Sequence, residues 1–273
     1  MGKKIRRIIM VVLLLIFVGA VGYVGVLLYQ YNQSSRSYEA AAEQFIIVRN
    51  ETGGTAGSNA GSSSSNGTQG SDQVEIAPLV IDFDALQAAG PDVIGWLYCE
   101  DTIINYPVLH GTDNDMYLHH LYDGSYTYSG SIFVEAANRK NFEDANTIIY
   151  GHNMRDGSMF GTLDSWQDQE YYEAHPVFWL ITPEQDYKIE LLGGYTTSAY
   201  SDTYTIFSNI GAELNAYLDA MLAQSVFVPQ EKPEQGAKYV LLSTCAYAFS
   251  DARFVLHGKL VPVDSAGGVL KTE

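Results

Sequence analysis

The sequence is poor in cysteine, and it lacks the short motifs of several enzyme classes. Two cysteines, Cys99 and Cys245, in 273 residues are too few for the disulfide framework of a small secreted protein, although one bridge between them remains open. There is no His-Glu-x-x-His motif, no paired-cysteine motif and no glycine-rich phosphate loop. These absences argue against the usual metal and nucleotide sites.

Basic side chains are also scarce, and their distribution is uneven. After residue 7 the chain carries 11 basic against 32 acidic side chains, a difference of −21. Such a surface repels nucleic acid and anionic lipid, so no nucleic-acid partner is expected. The excess of acidic groups is typical of a domain that stays soluble outside a membrane.

Only one long apolar run is present, and a basic segment precedes it. Residues 1–7 contain four cations, and the uncharged run Ile8 to Leu28 has 21 residues, enough to cross roughly 30 Å of hydrocarbon as a helix. A cleaved signal peptide is the alternative, but its apolar region is usually shorter and small residues follow it. We therefore predict a single-pass cell-membrane anchor with a cytoplasmic N-terminus and the rest of the chain extracellular.

Composition divides the rest of the chain. Residues 29–50 are helix-like, because 38–48 continues a helical pattern, and 51–73 is a Gly/Ser-rich stretch that predicts a flexible linker. A linker of that length reaches roughly 25–30 Å, which would hold the next domain away from the membrane without fixing its orientation. The folded domain is predicted at 74–263, with a short tail at 264–273.

Strand signals dominate the folded domain. Three helical stretches interrupt them: 81–89, with Asp82 as its cap, 158–174 in two short pieces, and 211–224. The strand signals are short runs rich in Val, Ile, Tyr, Phe and Thr, separated by turn residues. They read IGWLYCE, IINYPVL, GSIFVE, NTIIYGH, VFWLIT, YKIELLGGYTT, KYVLLSTC and RFVLHGKLV. This mainly β pattern predicts a closed or nearly closed β-barrel.

Cys245 is the candidate nucleophile. It ends the apolar run KYVLLSTC just before a loop, a position that suits a reactive thiol, whereas a buried packing cysteine is the alternative. Arg253 begins the next strand. If the two strands pair as an antiparallel hairpin, Arg253 returns beside Cys245, where a cation stabilises a thiolate or an oxyanion.

A histidine is needed for proton transfer, and His152 is the candidate because it ends the run NTIIYGH before a loop. His257 is the rival, but it lies four residues after Arg253, roughly 13 Å along the strand. The other four histidines are interpreted as surface or packing residues, and Cys99 as a packing residue. The residues alone thus give a Cys–His–Arg set of low specificity.

Three blocks of sequence resemble the class B sortases. LLSTC, followed by Arg253, is similar to the Thr-Leu-x-Thr-Cys motif of sortases, with Leu241 where the family usually has Thr. NTIIYGHNMRDGSMFGTL (146–163) resembles the family's histidine segment, and INYPVLHGTDNDMYL (104–118) resembles its early strand and groove loop. The helix at 211–224 is also similar to one in class B.

This resemblance implies an eight-stranded sortase-type β-barrel with added helices, behind a single transmembrane helix. It implies that Cys245 attacks the carbonyl of a Thr in a sorting signal, that His152 transfers protons, and that Arg253 holds the substrate and the oxyanion. It implies no metal and no cofactor. Four further positions are implied to bind substrate: Ser243, Thr244, Asn114 and Leu118.

The partners implied by the resemblance are exported proteins that carry a sorting signal and an amine of a peptidoglycan precursor. Three alternatives remain at this stage: a pilus-polymerising sortase, an exported cysteine endopeptidase or hydrolase, and a wall-binding module without activity. The first two would use the same residues as the transpeptidase. The third predicts that Cys245 is inert.

Overall fold

The computed structural model describes residues 2–47 and 75–264. The linker predicted at 51–73 and the tail beyond residue 264 lie outside the described residues. Ten strands and four α-helices form the described part, together with three short 3-10 helices at Met116–Leu118, Leu163–Gln167 and Asp202–Tyr204.

Eight of the strands close into a single barrel, in the order β10-β8-β7-β3-β4-β5-β6-β9 around the wall. The two other strands, β1 and β2, form a small antiparallel pair outside it. This confirms the predicted eight-stranded barrel. The strands are β1 Ile46–Ile47, β2 Val80–Ile81, β3 Val93–Tyr98, β4 Asn105–Leu109, β5 Ile132–Val134, β6 Asn146–Tyr150, β7 Val177–Ile181, β8 Asp186–Ser198, β9 Lys238–Cys245 and β10 Ala252–Val263.

Two pairs of neighbours in the barrel, β4 with β5 and β6 with β9, are parallel, and the other pairs are antiparallel. A parallel pair cannot be joined by a tight turn, so a long connection must cross from one end of the barrel to the other. The β4–β5 connection is residues 110–131. The loop after β6 and the loop after β9 open at the same end of the barrel, because these two strands run in the same direction.

The helices after the N-terminal one lie within the predicted stretches, but the first of these was predicted to begin too early, because Ile81 belongs to β2. α2 (Phe83–Ala89) is capped by Asp82, whose carboxylate accepts from the backbone N–H of Ala85 at 3.0 Å. α3 spans Gln169–Ala174 and follows a 3-10 turn, as the two-piece prediction required. α4 spans Ala212–Leu222 and buries Leu214 and Leu218 against the barrel wall.

The N-terminal helix α1 runs without interruption from Lys3 to Phe45. Its stretch Lys4–Val26 has a mean hydropathy of 2.8 and no buried residue. This stretch is long and apolar enough to cross a membrane. A signal sequence passes the same test of length and composition.

The last third of α1 packs on the barrel, which the sequence analysis did not predict. Tyr38, Ala41 and Phe45 are buried on one face of the helix, at spacings of three and four residues. The short strand β1 then pairs with β2, so the chain on either side of the predicted linker is in direct contact. The predicted linker connects two parts that already touch, and the helix contributes to two clusters of buried side chains, Tyr38 to one and Ala41 and Phe45 to the other.

Candidate active site

Cys245 is the last residue of β9 and carries a free, half-buried thiol. The four residues before it are buried, whereas the loop that follows is open, with Tyr247 79% and Phe249 51% exposed. The strand therefore fixes the backbone of the cysteine while its end opens to solvent. This is the strand-end position predicted for a reactive thiol.

Arg253 lies directly opposite Cys245 in the antiparallel pair of β9 and β10. Opposite residues of such a pair have Cβ atoms about 5 Å apart on the same face of the sheet. The connecting loop closes with Asp251 in the left-handed region at φ 59°, and the N–H of Ala246 donates to the carbonyl of Ala252 at 2.8 Å. The predicted antiparallel hairpin is confirmed, with Arg253 opposite Cys245 in its register. The guanidinium of Arg253 donates to the carbonyl of Ala252 at 3.0 Å, and its action on the thiol stays a prediction.

His152 follows β6, which runs parallel to β9 with Tyr150 paired to Ser243. The ladder continues beyond the strand: the N–H of Gly151 donates to the carbonyl of Ser243 at 3.1 Å, and the hydroxyl of Thr244 donates to the carbonyl of Gly151 at 2.9 Å. His152 and Cys245 each lie two residues past the Tyr150–Ser243 pair, so both lie at the same end of the barrel.

Glycine is required at position 151 for this arrangement. A Cβ added there would lie 2.5 Å from the Ile132 side chain and 2.6 Å from the ring of Phe160. Since real Cβ atoms do not approach that closely, any larger residue would force the side chains of Ile132 and Phe160, or the loop itself, to move. Gly151 thus sets the approach of the histidine loop to the cysteine strand.

The orientation of the His152 ring is fixed by a backbone carbonyl. Its Nε2–H donates to the carbonyl of Leu118 at 2.8 Å. Because a carbonyl oxygen only accepts, Nε2 carries the proton, and Nδ1 is the ring atom left to exchange a proton with substrate or thiol. The predicted substrate residue Leu118 therefore contributes to the site through its backbone.

A second contact joins the histidine loop to the nucleophile. The side-chain amide of Asn153 donates to the carbonyl of Cys245 at 2.7 Å. This bond ties the residue after His152 to the residue that carries the thiol, and it holds the two loops at a fixed separation. Nothing in the sequence pattern pointed to Asn153 beyond its tendency to form turns.

His119 stacks on His152, with ring centroids 5.8 Å apart and an angle of 26° between the planes. Burial lowers the pKa of His152, the bond to Leu118 opposes that shift, and the charge of His119 lowers the pKa further. His119 was interpreted as a surface or packing residue, so its place beside the catalytic candidate was missed.

Two tyrosines form the wall beside Arg253. The rings of Tyr150 and Tyr204 stack at 6.3 Å, and the hydroxyl of Tyr150 donates to Glu135 at 2.9 Å. Burial raises the pKa of both tyrosines, and the positive charge of Arg253 acts against the shift in each. The guanidinium therefore lies close to both phenols.

The four predicted substrate residues have other partners. Ser243 and Thr244 are 1% and 2% exposed, and their hydroxyls bind Tyr204 and the carbonyl of Gly151. Their burial gives no support to a groove-lining role, because a side chain that contacts substrate needs an open face. These two residues hold the strands and loops around the nucleophile together.

Asn114 is similarly occupied by neighbours within the fold. Its amide donates to both carboxylate oxygens of Glu135 at 2.8 Å, and its carbonyl accepts from the N–H of Ala136. Since Glu135 also holds Tyr150, Asn114 supports the tyrosine wall. A direct contact with substrate stays a prediction.

The rival candidates lie away from the thiol. His257 pairs with Leu241, four residues from the Arg253–Cys245 pair, and is buried against Tyr195. Cys99 is fully buried, and burial raises its pKa to about 12, as expected for a packing residue. Across residues 2–47 and 75–264, no cluster of three or more His, Cys, Asp or Glu side chains is arranged to hold a metal ion.

No protein-family model matches the sequence. The chain is similar to sortase B of Listeria monocytogenes, with 39% identity over 180 residues, or 64% of this chain and 72% of that protein. Its fold is similar to a crystal structure of sortase B from B. anthracis, with a TM-score of 0.68 and 28% identity over 86% of this chain and 99% of that one. It is also similar to a Staphylococcus aureus sortase B–substrate complex, with a TM-score of 0.63 and 28% identity over 67% of this chain and 85% of that one.

Proposed function

Because the chain belongs to the class B sortases and is a cysteine transpeptidase, we propose that it cleaves the sorting signal of exported proteins after a Thr residue. It then transfers the protein, held on the enzyme as a thioester, to an amine of a peptidoglycan precursor. The similarity to a Staphylococcus aureus sortase B–substrate complex supports the binding of such a substrate by this chain. In this proposal Cys245, His152 and Arg253 carry out the chemistry.

In the first half-reaction the sulfur of Cys245 attacks the Thr carbonyl and the scissile amide breaks. Since its pKa is lowered, His152 is neutral at neutral pH, so its Nδ1 takes the thiol proton and passes it to the nitrogen of the leaving amine. Throughout this step the Nε2–H of His152 remains hydrogen-bonded to the carbonyl of Leu118, which keeps the ring in place. A thioester on Cys245 and a free downstream peptide result.

In the second half-reaction the acceptor amine attacks the thioester. Nδ1 of His152 removes the proton of the attacking nitrogen and returns it to the departing sulfur, which restores the thiol. A new amide replaces the one that was cleaved, so no external energy source is required. Arg253, opposite the nucleophile on β10, stabilises the negative oxygen that forms in both steps.

The observation that supports the proposal is the strand register, in which Arg253 pairs with Cys245 on β10 and β9, while His152 follows the parallel neighbour β6. Replacing Cys245 by Ala removes the nucleophile, so cleavage of a sorting peptide should fall to background while the fold survives. Cys99→Ala is the matched control, because it removes the other thiol from a buried position. A Cys245→Ala variant that cleaves at the parent rate would exclude the assignment.

A hydrolase that ends at water would use the same three residues. The two reactions differ in their product, so peptide cleavage is compared with and without an added oligoglycine or diamine. The transpeptidase gives an amine-linked product that replaces the hydrolysed acid as the amine concentration rises. An unchanged yield of the acid product would favour the hydrolase, and a pilin lysine as the preferred acceptor would favour a pilus-polymerising role.

We also propose that α1 remains attached as a single-pass membrane anchor, with residues 1–7 in the cytoplasm and the barrel outside the cell. The uncharged apolar run Ile8 to Leu28 and the four basic residues before it support this topology. The packing of Tyr38 and Phe45 on the barrel adds support, because cleavage within the apolar stretch would leave the docked part of the helix exposed at a new end. The mass of the protein recovered from membranes distinguishes an intact chain from a cleaved one.

A further inference from the structure

The loop 122–128 lies beside the point at which α1 leaves the barrel. The hydroxyls of Ser34 and Thr127 are hydrogen-bonded, and an open cavity lies between Gln33, Ser34 and Ser37 on the helix and Tyr126 on the loop. Towards the N-terminus from there, the apolar stretch of the helix has no buried residue. Among the described residues, the loop is therefore one of the parts of the barrel that meet the helix close to its proposed membrane span.

The length of helix between the span and this contact is short. Ser34 follows Val26 by eight residues, or about 12 Å at the α-helical rise of 1.5 Å per residue. The headgroup layer on each side of a bilayer is about 5–8 Å deep, and spanning helices tilt by about 20°. A tilt towards the loop side lowers this edge of the barrel into contact with the headgroups.

The surface chemistry of the loop suits that position. Tyr126 is 66% exposed and Tyr128 43% exposed, and tyrosine is enriched where proteins meet the interface of a membrane. The surrounding segment 116–131 contains a single acidic residue, Asp123, although the domain as a whole is strongly acidic. An acidic surface is repelled by anionic lipids, whereas this stretch is almost uncharged.

The loop is also continuous with the active site. The ring of Tyr126 packs on His119 at 6.1 Å and edge-on to His120 at 5.9 Å. His119 in turn stacks on His152 at 5.8 Å. Two ring contacts therefore separate the exposed tyrosine at the helix exit from the histidine of the active site.

We propose that the loop 122–128 contacts the headgroup layer of the bilayer through Tyr126 and Tyr128, so that the His152 side of the active site faces the membrane surface. The proposal rests on α1 serving as a membrane anchor. It predicts that the barrel does not swing freely on a tether, because the helix, the loop and the lipid surface hold it from one side.

Depth-dependent fluorescence quenching tests this contact in the full chain, reconstituted in vesicles of phosphatidylcholine and phosphatidylglycerol. Tyr126→Trp places a reporter at the loop, and brominated phosphatidylcholine quenches tryptophan that touches the lipid. The three native tryptophans are the same in every variant, so the parent signal is subtracted. Tyr200→Trp is the matched control, because Tyr200 is 85% exposed and follows β8, on the barrel wall opposite β4 and β5.

Tyr23→Trp, within the apolar stretch, reports whether α1 is inserted. The proposal expects loss of fluorescence at positions 23 and 126 and none at 200. Quenching at 23 without quenching at 126 overturns the membrane contact and leaves the anchor standing. Equal quenching at 126 and 200 shows that the loop is not the contacting surface, and no quenching at 23 overturns the anchor together with the contact.

Discussion

Two histidines, His152 and His257, lie on neighbouring parts of the barrel but in different surroundings. His152 is half-buried just after a strand end, and its Nε2 is bonded to the carbonyl of Leu118. His257 is buried inside the wall, and burial lowers its pKa to about 3. The sequence analysis placed His257 about four residues along the strand from Arg253, and the observed register has the same spacing.

His119 should tune the acid limb of the pH profile. Its charge lowers the pKa of His152, so His119→Asn should raise that pKa. Because the proposed mechanism needs neutral His152 to accept the thiol proton, the fall in kcat/KM on acidification should then begin at a higher pH. His120→Asn is the matched control. The ring of His120 contacts Tyr126, as that of His119 does, but it is His119 that stacks on His152. An acid limb that is unchanged in His119→Asn would contradict this role, and NMR titration of His152 checks the shift directly.

His257 should make the fold sensitive to acid. An unfolded histidine has a pKa near 6.5, whereas the folded value is about 3, so the unfolded state binds more protons below pH 6.5. The contribution of His257 to the free energy of unfolding is therefore fully present above pH 6.5 and is lost progressively as the pH falls towards 3. At pH 5 the loss from this group is about 2 kcal/mol.

His257→Gln removes the titration and keeps a polar partner for the hydroxyl of Tyr195. Urea unfolding at pH 7 and at pH 5 should show a smaller acid-induced loss in the variant than in the parent. Equal losses in the two proteins would mean that other groups account for the acid sensitivity.

At the scale of elements, α1 supports both loops of the active site. The hydroxyl of Tyr38 donates to the carbonyl of Gly130 at 2.5 Å and contacts Ser131, in the connection that also supplies the Leu118 carbonyl to His152. The ring of Tyr38 packs edge-on to Tyr106 at 5.2 Å. The hydroxyl of Tyr106 accepts from the N–H of Met159 at 3.1 Å.

Met159 continues this chain of contacts to the nucleophile. It forms an isolated bridge with Asn153, whose amide holds the carbonyl of Cys245. The helix thus braces the loop that orients the histidine and the loop that positions the cysteine. The signal for this docking was present in the sequence, since Tyr38, Ala41 and Phe45 share a helical face, but their barrel partners come from distant segments that no local pattern identifies.

Tyr38→Phe should lower kcat by several-fold with a smaller change in KM, because it leaves the ring in place and removes the hydroxyl that fixes the 110–131 connection. Leaving the carbonyl of Gly130 without its partner should also cost about 1–3 kcal/mol of unfolding free energy. Ser37→Ala is the control, because the Ser37 hydroxyl bonds within its own helix, to the carbonyl of Gln33. If Tyr38→Phe retains the parent kcat, the helix does not position the active site.

At the scale of the whole molecule, the barrel gathers three distant blocks of sequence at one end. The blocks at 104–118, 146–163 and 241–245 contribute β4, β6 and the end of β9 with the loops that follow them. Their order along the chain supported the resemblance to class B sortases, which the relatives confirm. Strand signals, helix positions and the hairpin of Cys245 with Arg253 were predictable because each is encoded by local pattern.

The contacts that complete the site were not predictable in the same way. Asn153, His119 and Tyr204 reach the site through the closure of the barrel, and in each case the partner is separated by tens of residues in sequence. The docking of α1 likewise depends on a surface that exists only once the barrel has closed. Local periodicity carries no information about such pairs.

Trapping of the covalent intermediate tests the central claim, that one thiol at the end of β9 performs acyl transfer. The full-length protein is incubated with a sorting peptide, without an added amine, quenched in acid, digested and analysed by mass spectrometry. The account predicts a mass increase equal to the acyl fragment up to the Thr, on the peptide that contains Cys245, and its disappearance when an amine is added. Peptide cleavage that proceeds with no adduct on Cys245, or with the adduct on another residue, would contradict it.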